Sequence, residues 1–162
     1  MRNDWIQLFG RVAIGTISLS AVSDRFGLWG PHGAANVDWG DFAHFVAYTA
    51  QVNAFLPAAW APTLAVLATI AEVSLGIALI FGLWTRAAAI GGAALFATFG
   101  IAMAISFGIK KPLDFSVFTD CAAALLLTTF SSYRWSFDAF FHAARNARRP
   151  LKGALQRGES NV

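Results

Sequence analysis

The chain has 162 residues, which suits a single domain, but its composition is not that of a water-soluble protein. Hydrophobic residues make up 57% of it. Charged residues make up only 13%, about half of the ~25% typical of soluble domains. The mean hydropathy of +0.56 excludes intrinsic disorder and places the chain in a membrane. The net charge of +3 therefore indicates membrane topology rather than nucleic-acid binding, and a single cysteine excludes a two-cysteine redox site.

Four apolar stretches are long enough to cross a bilayer, because about 20 helical residues span about 30 Å of hydrocarbon. They cover approximately residues 5–26, 61–83, 87–109 and 113–132. Arg11 lies inside the first stretch, which favours a membrane span over a cleaved signal peptide. The predicted fold class is therefore all-α, an integral membrane four-helix bundle.

The segment between the first two spans, residues 38–56, is apolar but interrupted by His44, Gln51 and Asn53. As a fifth span it would be short and polar, and it would put the two chain ends on opposite sides of the membrane. We therefore expect an interfacial or re-entrant helix on the periplasmic side, with Asp38 as its N-cap.

Basic residues are distributed unevenly around the four predicted spans. The side that holds both chain ends carries eight of them: Arg2, Arg86, Arg134, Arg145, Arg148, Arg149, Lys152 and Arg157. The other side carries Arg25, Lys110 and Lys111. Because Lys and Arg accumulate in cytoplasmic loops, both termini are expected to be cytoplasmic.

The chain is thus divided into a four-span domain, residues 1–133, and a cytoplasmic tail, residues 134–162. The tail is predicted to be a basic amphipathic helix on the inner leaflet. Its polar face would carry Arg134, Asp138, His142, Arg145 and Arg149.

Ionisable residues inside the predicted spans are the strongest functional signal, because each costs about 2.5–3.5 kcal/mol at the bilayer centre. At about 1.5 Å of rise per residue, Arg11 and Glu72 differ by only about 5 Å in predicted depth. Arg25 could reach Asp120 nearer the periplasm. We therefore predict two charge layers, Arg11 with Glu72 and Arg25 with Asp120, with Arg86 at the cytoplasmic end of the second span.

Helical spacing puts these charges on single faces. Arg11 and Arg25 share a stripe of the first span with Gly15, and Glu72 shares one of the second span with Gly76. Small residues beside the charges allow close helix packing. The charges would serve as structural pairs that fix helix register, as a ligand or proton site, or as contacts to a partner subunit, and the sequence leaves these alternatives open.

The histidines and the cysteine give weaker signals. His32, His44 and His142 lie outside the four spans, which argues against a haem within the bundle. Metal ligation by His44 with Asp41 would rest on their spacing alone, so no metal site is predicted. Cys121 is interpreted as a packing residue.

The sequence resembles the DoxX family of four-span bacterial membrane proteins in three places. These are Arg11 with Gly15, the Glu-x3-Gly-x5-Gly-x2-Thr-Arg run from Glu72 to Arg86, and Asp120. Members often carry Gly-x-x-Lys at the end of the first span, where this chain has Asp24-Arg25. The resemblance implies a bacterial inner-membrane protein whose relatives include a subunit of thiosulfate:quinone oxidoreductase or terminal quinol oxidase.

The function that this resemblance implies is that of an accessory, quinone-contacting subunit of a membrane redox complex. Arg11 and Glu72 would hydrogen-bond a quinone carbonyl or relay its proton. Asp120 is a second candidate for the proton relay, and Arg25 and Arg86 would complete the site. No motif for flavin, haem or iron–sulfur binding is recognised, so we expect partner subunits or a homo-oligomer besides membrane lipids, and no nucleic acid. The alternative is a non-catalytic scaffold or assembly factor whose charge pairs are structural.

Overall fold

The computed structural model describes residues 2–145, and every regular element in that range is helical. The helices are α1 (Arg2–Arg25), α2 (Phe42–Val52), α3 (Ala61–Phe81), α4 (Thr85–Phe107), α5 (Lys110–Asp114) and α6 (Val117–Leu127). A short 3₁₀ turn, Ala58–Trp60, leads into α3, and residues 137–145 are also helical. The predicted all-α fold class is confirmed.

Three helical stretches are long and apolar enough to cross a membrane: Asp4–Arg25, Ala58–Phe81 and Thr85–Phe107. The fourth apolar helix, α6, is shorter. α1 packs against α3, α3 against α4, α4 against α6, and α6 against α1, so the four helices close a ring. The core of this ring consists of small and aliphatic side chains together with Phe96, and Ala89 and Ala124 are fully buried. The protein is therefore a multi-pass helical membrane bundle, as predicted.

The fourth span differs from the continuous helix predicted over residues 113–132. The chain breaks at Ser116, whose φ of 56° lies in the left-handed region and separates α5 from α6. At the C-terminal end of α6, the hydroxyls of Thr128 and Thr129 donate to the carbonyl oxygens of Leu125 and Leu126. These side-chain hydrogen bonds compete with the backbone hydrogen bonds that would continue the helix. The helical part of this crossing therefore has only 11 residues.

The predicted interfacial segment forms α2, which packs against α1, α3 and α4. Its N-cap is Asp41, whose carboxylate accepts the His44 backbone N–H at 2.9 Å. The expectation that Asp38 caps this helix was wrong by three residues. The reason is a tertiary contact, since the Asp38 backbone N–H donates to a carboxylate oxygen of Asp24 at 2.8 Å.

α1 and α3 touch along their backbones, and this contact sets the register of the buried charges. A Cβ atom on Gly15 would lie 2.7 Å from the Gly76 carbonyl oxygen, so no larger residue fits between the helices. The charged stripes predicted around these two glycines do face the interior. Arg11, Arg25 and Glu72 are all buried.

The chain after α6 folds back beneath the turn between α3 and α4. Asp138 accepts hydrogen bonds from the backbone N–H groups of Trp84 and Thr85 at 2.8 and 2.7 Å. Its own N–H donates to the carbonyl oxygen of Gly82 at 3.0 Å. A residue distant in sequence thus caps the start of α4.

This arrangement corrects the predicted tail helix. The helix begins at residue 137 rather than at Arg134, and Asp138 faces α4 instead of water. The backbone turns at Trp135, whose φ is 53°. Arg149, the last residue of the predicted polar face, lies outside the described residues.

Candidate functional site

A buried ion pair joins the end of α1 to the middle of α3. Arg25 Nη2 contacts Glu72 Oε2, and the two side chains are 3% and 5% exposed. The other terminal nitrogen, Arg25 Nη1, donates to the Thr69 hydroxyl at 2.9 Å. Thr69 lies one turn before Glu72 on the same face of α3, so the arginine side chain runs along this helix to reach both groups.

Aromatic rings of α2 and of the preceding loop cover this pair. The guanidinium carbon of Arg25 lies 3.7 Å from the centre of the Phe45 ring and 5.4 Å from that of Trp39. The attraction between a cation and an aromatic face holds α2 over the pair and excludes water from it.

Asp24 holds in place the loop before α2, which covers the ion pair. Its carboxylate accepts the backbone N–H groups of Asp38, Trp39 and Gly40 at 2.8, 3.3 and 3.1 Å. Asp24 itself is buried. The two adjacent charged residues at the end of α1 therefore have separate roles. Asp24 holds the loop, and Arg25 forms the ion pair that the loop covers.

The ion pair is incompletely hydrogen bonded. Arg25 Nε is buried and has no hydrogen-bond partner among the described residues, whereas Glu72 Oε2 is already in contact with Arg25 Nη2. Buried polar groups in folded proteins are nearly always hydrogen bonded, so each exception needs an explanation. This site therefore has one N–H donor, Arg25 Nε, available to a further polar group.

Arg11, by contrast, uses all of its donors within the protein. Nε donates to the Leu79 carbonyl oxygen at 3.1 Å, Nη1 to Gln7 Oε1 at 3.1 Å, and Nη2 to the Trp135 carbonyl oxygen at 3.1 Å. Longer bonds of 3.4 Å reach the carbonyl oxygens of Arg134 and Ile80. A guanidinium has five N–H groups, so a ligand could bind Arg11 only by displacing one of these acceptors.

The predicted pairing of Arg11 with Glu72 and of Arg25 with Asp120 was therefore wrong. Arg11 lies level with Leu79, seven residues or about 10 Å beyond Glu72 along α3. The depth estimate failed because α1 extends well past the end of α3, where its first turns pack beside residues 133–136. With α1 displaced in this way, Arg25 is the residue that reaches Glu72.

The other two predicted site residues lie apart from the pair. Asp120 is half-buried in the first turn of α6, and no hydrogen bond or ion pair between described residues joins it to Arg25. Arg86 is exposed in the first turn of α4, at the opposite end of the bundle from Arg25.

Sequence reasoning missed Thr69, Phe45 and the role of Asp24. Nothing distinguishes Thr69 from other polar residues of a span, since its contact depends on where the arginine side chain ends. Gln7 was also missed, although it precedes Arg11 by four residues and therefore shares its helix face. That spacing was the available signal.

The comparison with known proteins concerns most of the bundle rather than one residue. The family model of DoxX matches residues 6–106, which is well over half of the chain. The matched stretch contains Arg11, Asp24, Arg25 and Glu72, and it ends before α6. Among curated proteins and among solved structures, no match to the chain was found.

Proposed function

Because this chain belongs to the DoxX family of membrane proteins, we propose that it is an accessory subunit of a membrane redox complex that contacts quinone through Arg25 and Glu72. The observation that carries the proposal is Arg25 Nε, a buried donor of this ion pair that has no hydrogen-bond partner among the described residues. A quinone carbonyl accepts the hydrogen bond that Arg25 Nε has available, and Glu72 takes up or releases the accompanying proton. Electron transfer itself is left to partner subunits.

The test compares quinone retained by the purified protein with and without the Glu72 carboxyl. Glu72→Gln keeps the size of the side chain and an oxygen that accepts from Arg25, but it cannot exchange a proton. We expect quinone co-purified in mild detergent, quantified by mass spectrometry, to fall about tenfold while protein yield stays unchanged.

Asp120→Asn is the matched control, because it removes an intramembrane carboxylate that does not contact Arg25. It should retain quinone at the level of the natural protein. Equal quinone in all three proteins would refute the contact at Glu72.

The setting of Arg11 favours a second candidate function, that of a non-catalytic scaffold or assembly factor. Its guanidinium ties α1, α3 and residues 134–135 together with no donor left over. A charge used in this way stabilises the fold and has no donor left for a ligand. A stoichiometric partner protein that co-purifies in the absence of quinone would support this second function over the first.

We further propose that the protein lies in the bacterial inner membrane with both chain ends in the cytoplasm. The contact between Arg134 Nη1 and Asp4 Oδ2, 3.4 Å apart, supports a common side for the start of α1 and the chain after α6. A reporter fused after Arg149 should be active only if it functions in the cytoplasm. Periplasmic alkaline-phosphatase activity from that fusion would contradict the orientation.

A further inference from the structure

A second candidate site lies outside the ion pair, in a cavity of about 290 Å³ between α2, the loop before it and α5. Its walls include the rings of His32, Trp39, His44, Tyr48 and Phe115. The Trp39 ring also faces Arg25, so this side chain borders both the cavity and the covered ion pair.

Two histidines in the wall form a stacked pair. The ring centres of His32 and His44 are 3.5 Å apart, and their planes differ by 8°. His32 Nδ1 lies 2.9 Å from the Trp39 carbonyl oxygen, and His44 Nδ1 lies 2.8 Å from Asp41 Oδ2. Carbonyl and carboxylate oxygens only accept hydrogen bonds, so each Nδ1 must carry the proton.

In the neutral form of each ring, Nε2 is then the acceptor. Neither Nε2 has a hydrogen-bond partner within residues 4–145. Because the two ring planes are almost parallel and stacked, their in-plane lone pairs stay in parallel planes and do not converge, so one metal ion cannot lie on both. Two parallel acceptors instead suit a ligand that donates hydrogen bonds.

The remaining walls define the shape and charge of that ligand. Trp39, Tyr48 and Phe115 present aromatic surface, against which a flat ring packs well. Lys111 and Asp38 also line the cavity, and their opposite charges favour a ligand without net charge. The volume is at the lower end of the range for ligand pockets, about 300–1,000 Å³, so the ligand is small.

From these features we infer that the cavity binds a small, uncharged aromatic ring that carries hydroxyl groups. The hydroxyls donate to the Nε2 atoms of His32 and His44, and the ring packs against Trp39, Tyr48 and Phe115. Both the reduced headgroup of a membrane quinone and a water-soluble phenol have this chemistry. The inference does not depend on the proposed contact at Glu72, because it concerns a different set of side chains.

Nitrogen-15 NMR of the full chain, labelled only at histidine, tests this directly, since the protein has three histidines. The probe is hydroquinone, added anaerobically to the protein in nanodiscs. We expect the Nε2 signals of His32 and His44 to shift, with His142 as an internal control. The matched ligand is 1,4-dimethoxybenzene, which has the same ring but no hydroxyl donor, and it should shift neither signal.

Variants then locate the site. Tyr48→Ala and Phe115→Ala each remove one wall without touching the histidines, and each should weaken hydroquinone binding about tenfold. Glu72→Gln should leave it unchanged, which separates this site from the proposed quinone contact. Nanodiscs that contain a long-chain quinol distinguish the two sources, because a headgroup from the membrane would shift the same two signals without added hydroquinone.

Three results would overturn the inference: no shift at saturating hydroquinone, equal shifts with the dimethoxy ring, or equal movement of His142. The inference would also be overturned if Glu72→Gln abolished the response while Tyr48→Ala and Phe115→Ala retained it. That result would assign the ring to the ion pair instead. Because the two ligands are compared on the unaltered protein, the test holds even if a variant fails to fold.

Discussion

The two buried arginines of α1 lie on one helix face but in opposite chemical settings. Arg11 is surrounded by backbone carbonyl oxygens and Gln7, and every donor is used. Arg25 contacts a carboxylate and two aromatic rings, and its Nε has no hydrogen-bond partner among the described residues.

The contrast shows that burial of a charge does not by itself mark a functional site. A cation whose donors are all satisfied stabilises the fold and has nothing to offer a ligand. A cation with an unmet donor, paired with a carboxylate, retains capacity for binding. The four predictions that follow begin with the largest expected effect. The first two test this difference, and the other two test the caps of α4 and α2.

Removing the carboxylate beside Arg25 should have the largest effect. Glu72→Ala leaves a buried cation without its partner, and we expect the free energy of unfolding in mixed micelles to fall by about 3–5 kcal/mol. Adding Arg25→Met should recover most of that loss, because the apolar side chain still packs under Phe45.

The control for this double-mutant cycle combines Glu72→Ala with Arg11→Met instead of Arg25→Met. Arg11 and Glu72 are not in contact, so their losses should add to within about 0.5 kcal/mol. Recovery of stability in the Arg11 cycle but not in the Arg25 cycle would reverse the assignment of partners.

Arg11→Lys tests whether the geometry of the Arg11 guanidinium matters or only its positive charge. Lysine keeps the positive charge but cannot supply five N–H groups to five acceptors, and buried carbonyl oxygens are left unsatisfied. We expect a loss of about 2–3 kcal/mol and faster proteolysis near residues 133–136. Arg25→Lys is the comparison, and it should cost less because a point charge still pairs with Glu72.

Asp138→Ala should cost about 1 kcal/mol, the usual loss when a helix N-cap is removed. The backbone amides of Trp84 and Thr85 should then exchange hydrogen faster. Asp138→Asn retains one acceptor oxygen and should lose less. Unchanged exchange at both amides in Asp138→Ala would mean that the cap contributes nothing to α4.

The smallest effect concerns pH and the cap of α2. Hydrogen bonds from the His44 backbone and side chain lower the pKa of Asp41 below its ordinary value of 3.8. A carboxyl with a lowered pKa stabilises the fold above the unfolded pKa, and the contribution is lost as pH falls through the folded pKa. Hence α2 should loosen slightly below about pH 4, as followed by the NMR signal of the His44 amide.

Asp41→Asn caps without titrating, so its His44 amide signal should not respond to this change in pH. Asp41→Ala should show the loosened state at every pH. A response in Asp41→Asn equal to that of the unaltered protein would place the titrating group elsewhere.

The helices and their buried faces could be predicted from the sequence, because apolar length and helical spacing depend on local composition. Arg11, Arg25 and Glu72 were all expected to face the interior, and all do. The end of α3 follows the same local logic, since it falls at a glycine, Gly82, whose φ of 68° suits that residue.

The partners of these charges could not be predicted in the same way. Pairing depends on how far α1 is displaced along α3, and a close glycine contact sets that displacement. Most of the acceptors around Arg11 are backbone carbonyl oxygens, which every residue has and no sequence pattern marks. The stack of His32 on His44 joins a loop to a helix, so it has no periodicity at all.

The short helix α6 has a consequence for the surrounding lipid. Its 11 residues rise only about 16 Å, roughly half the thickness of the hydrocarbon layer, while α3 and α4 are long enough to cross it fully. The chain continues beyond α6 to Tyr133, whose hydroxyl donates to the Leu127 carbonyl oxygen at 2.8 Å. Hydrophobic mismatch on this one side favours a locally thinner bilayer, so short acyl chains should gather along α6 and longer ones along α3.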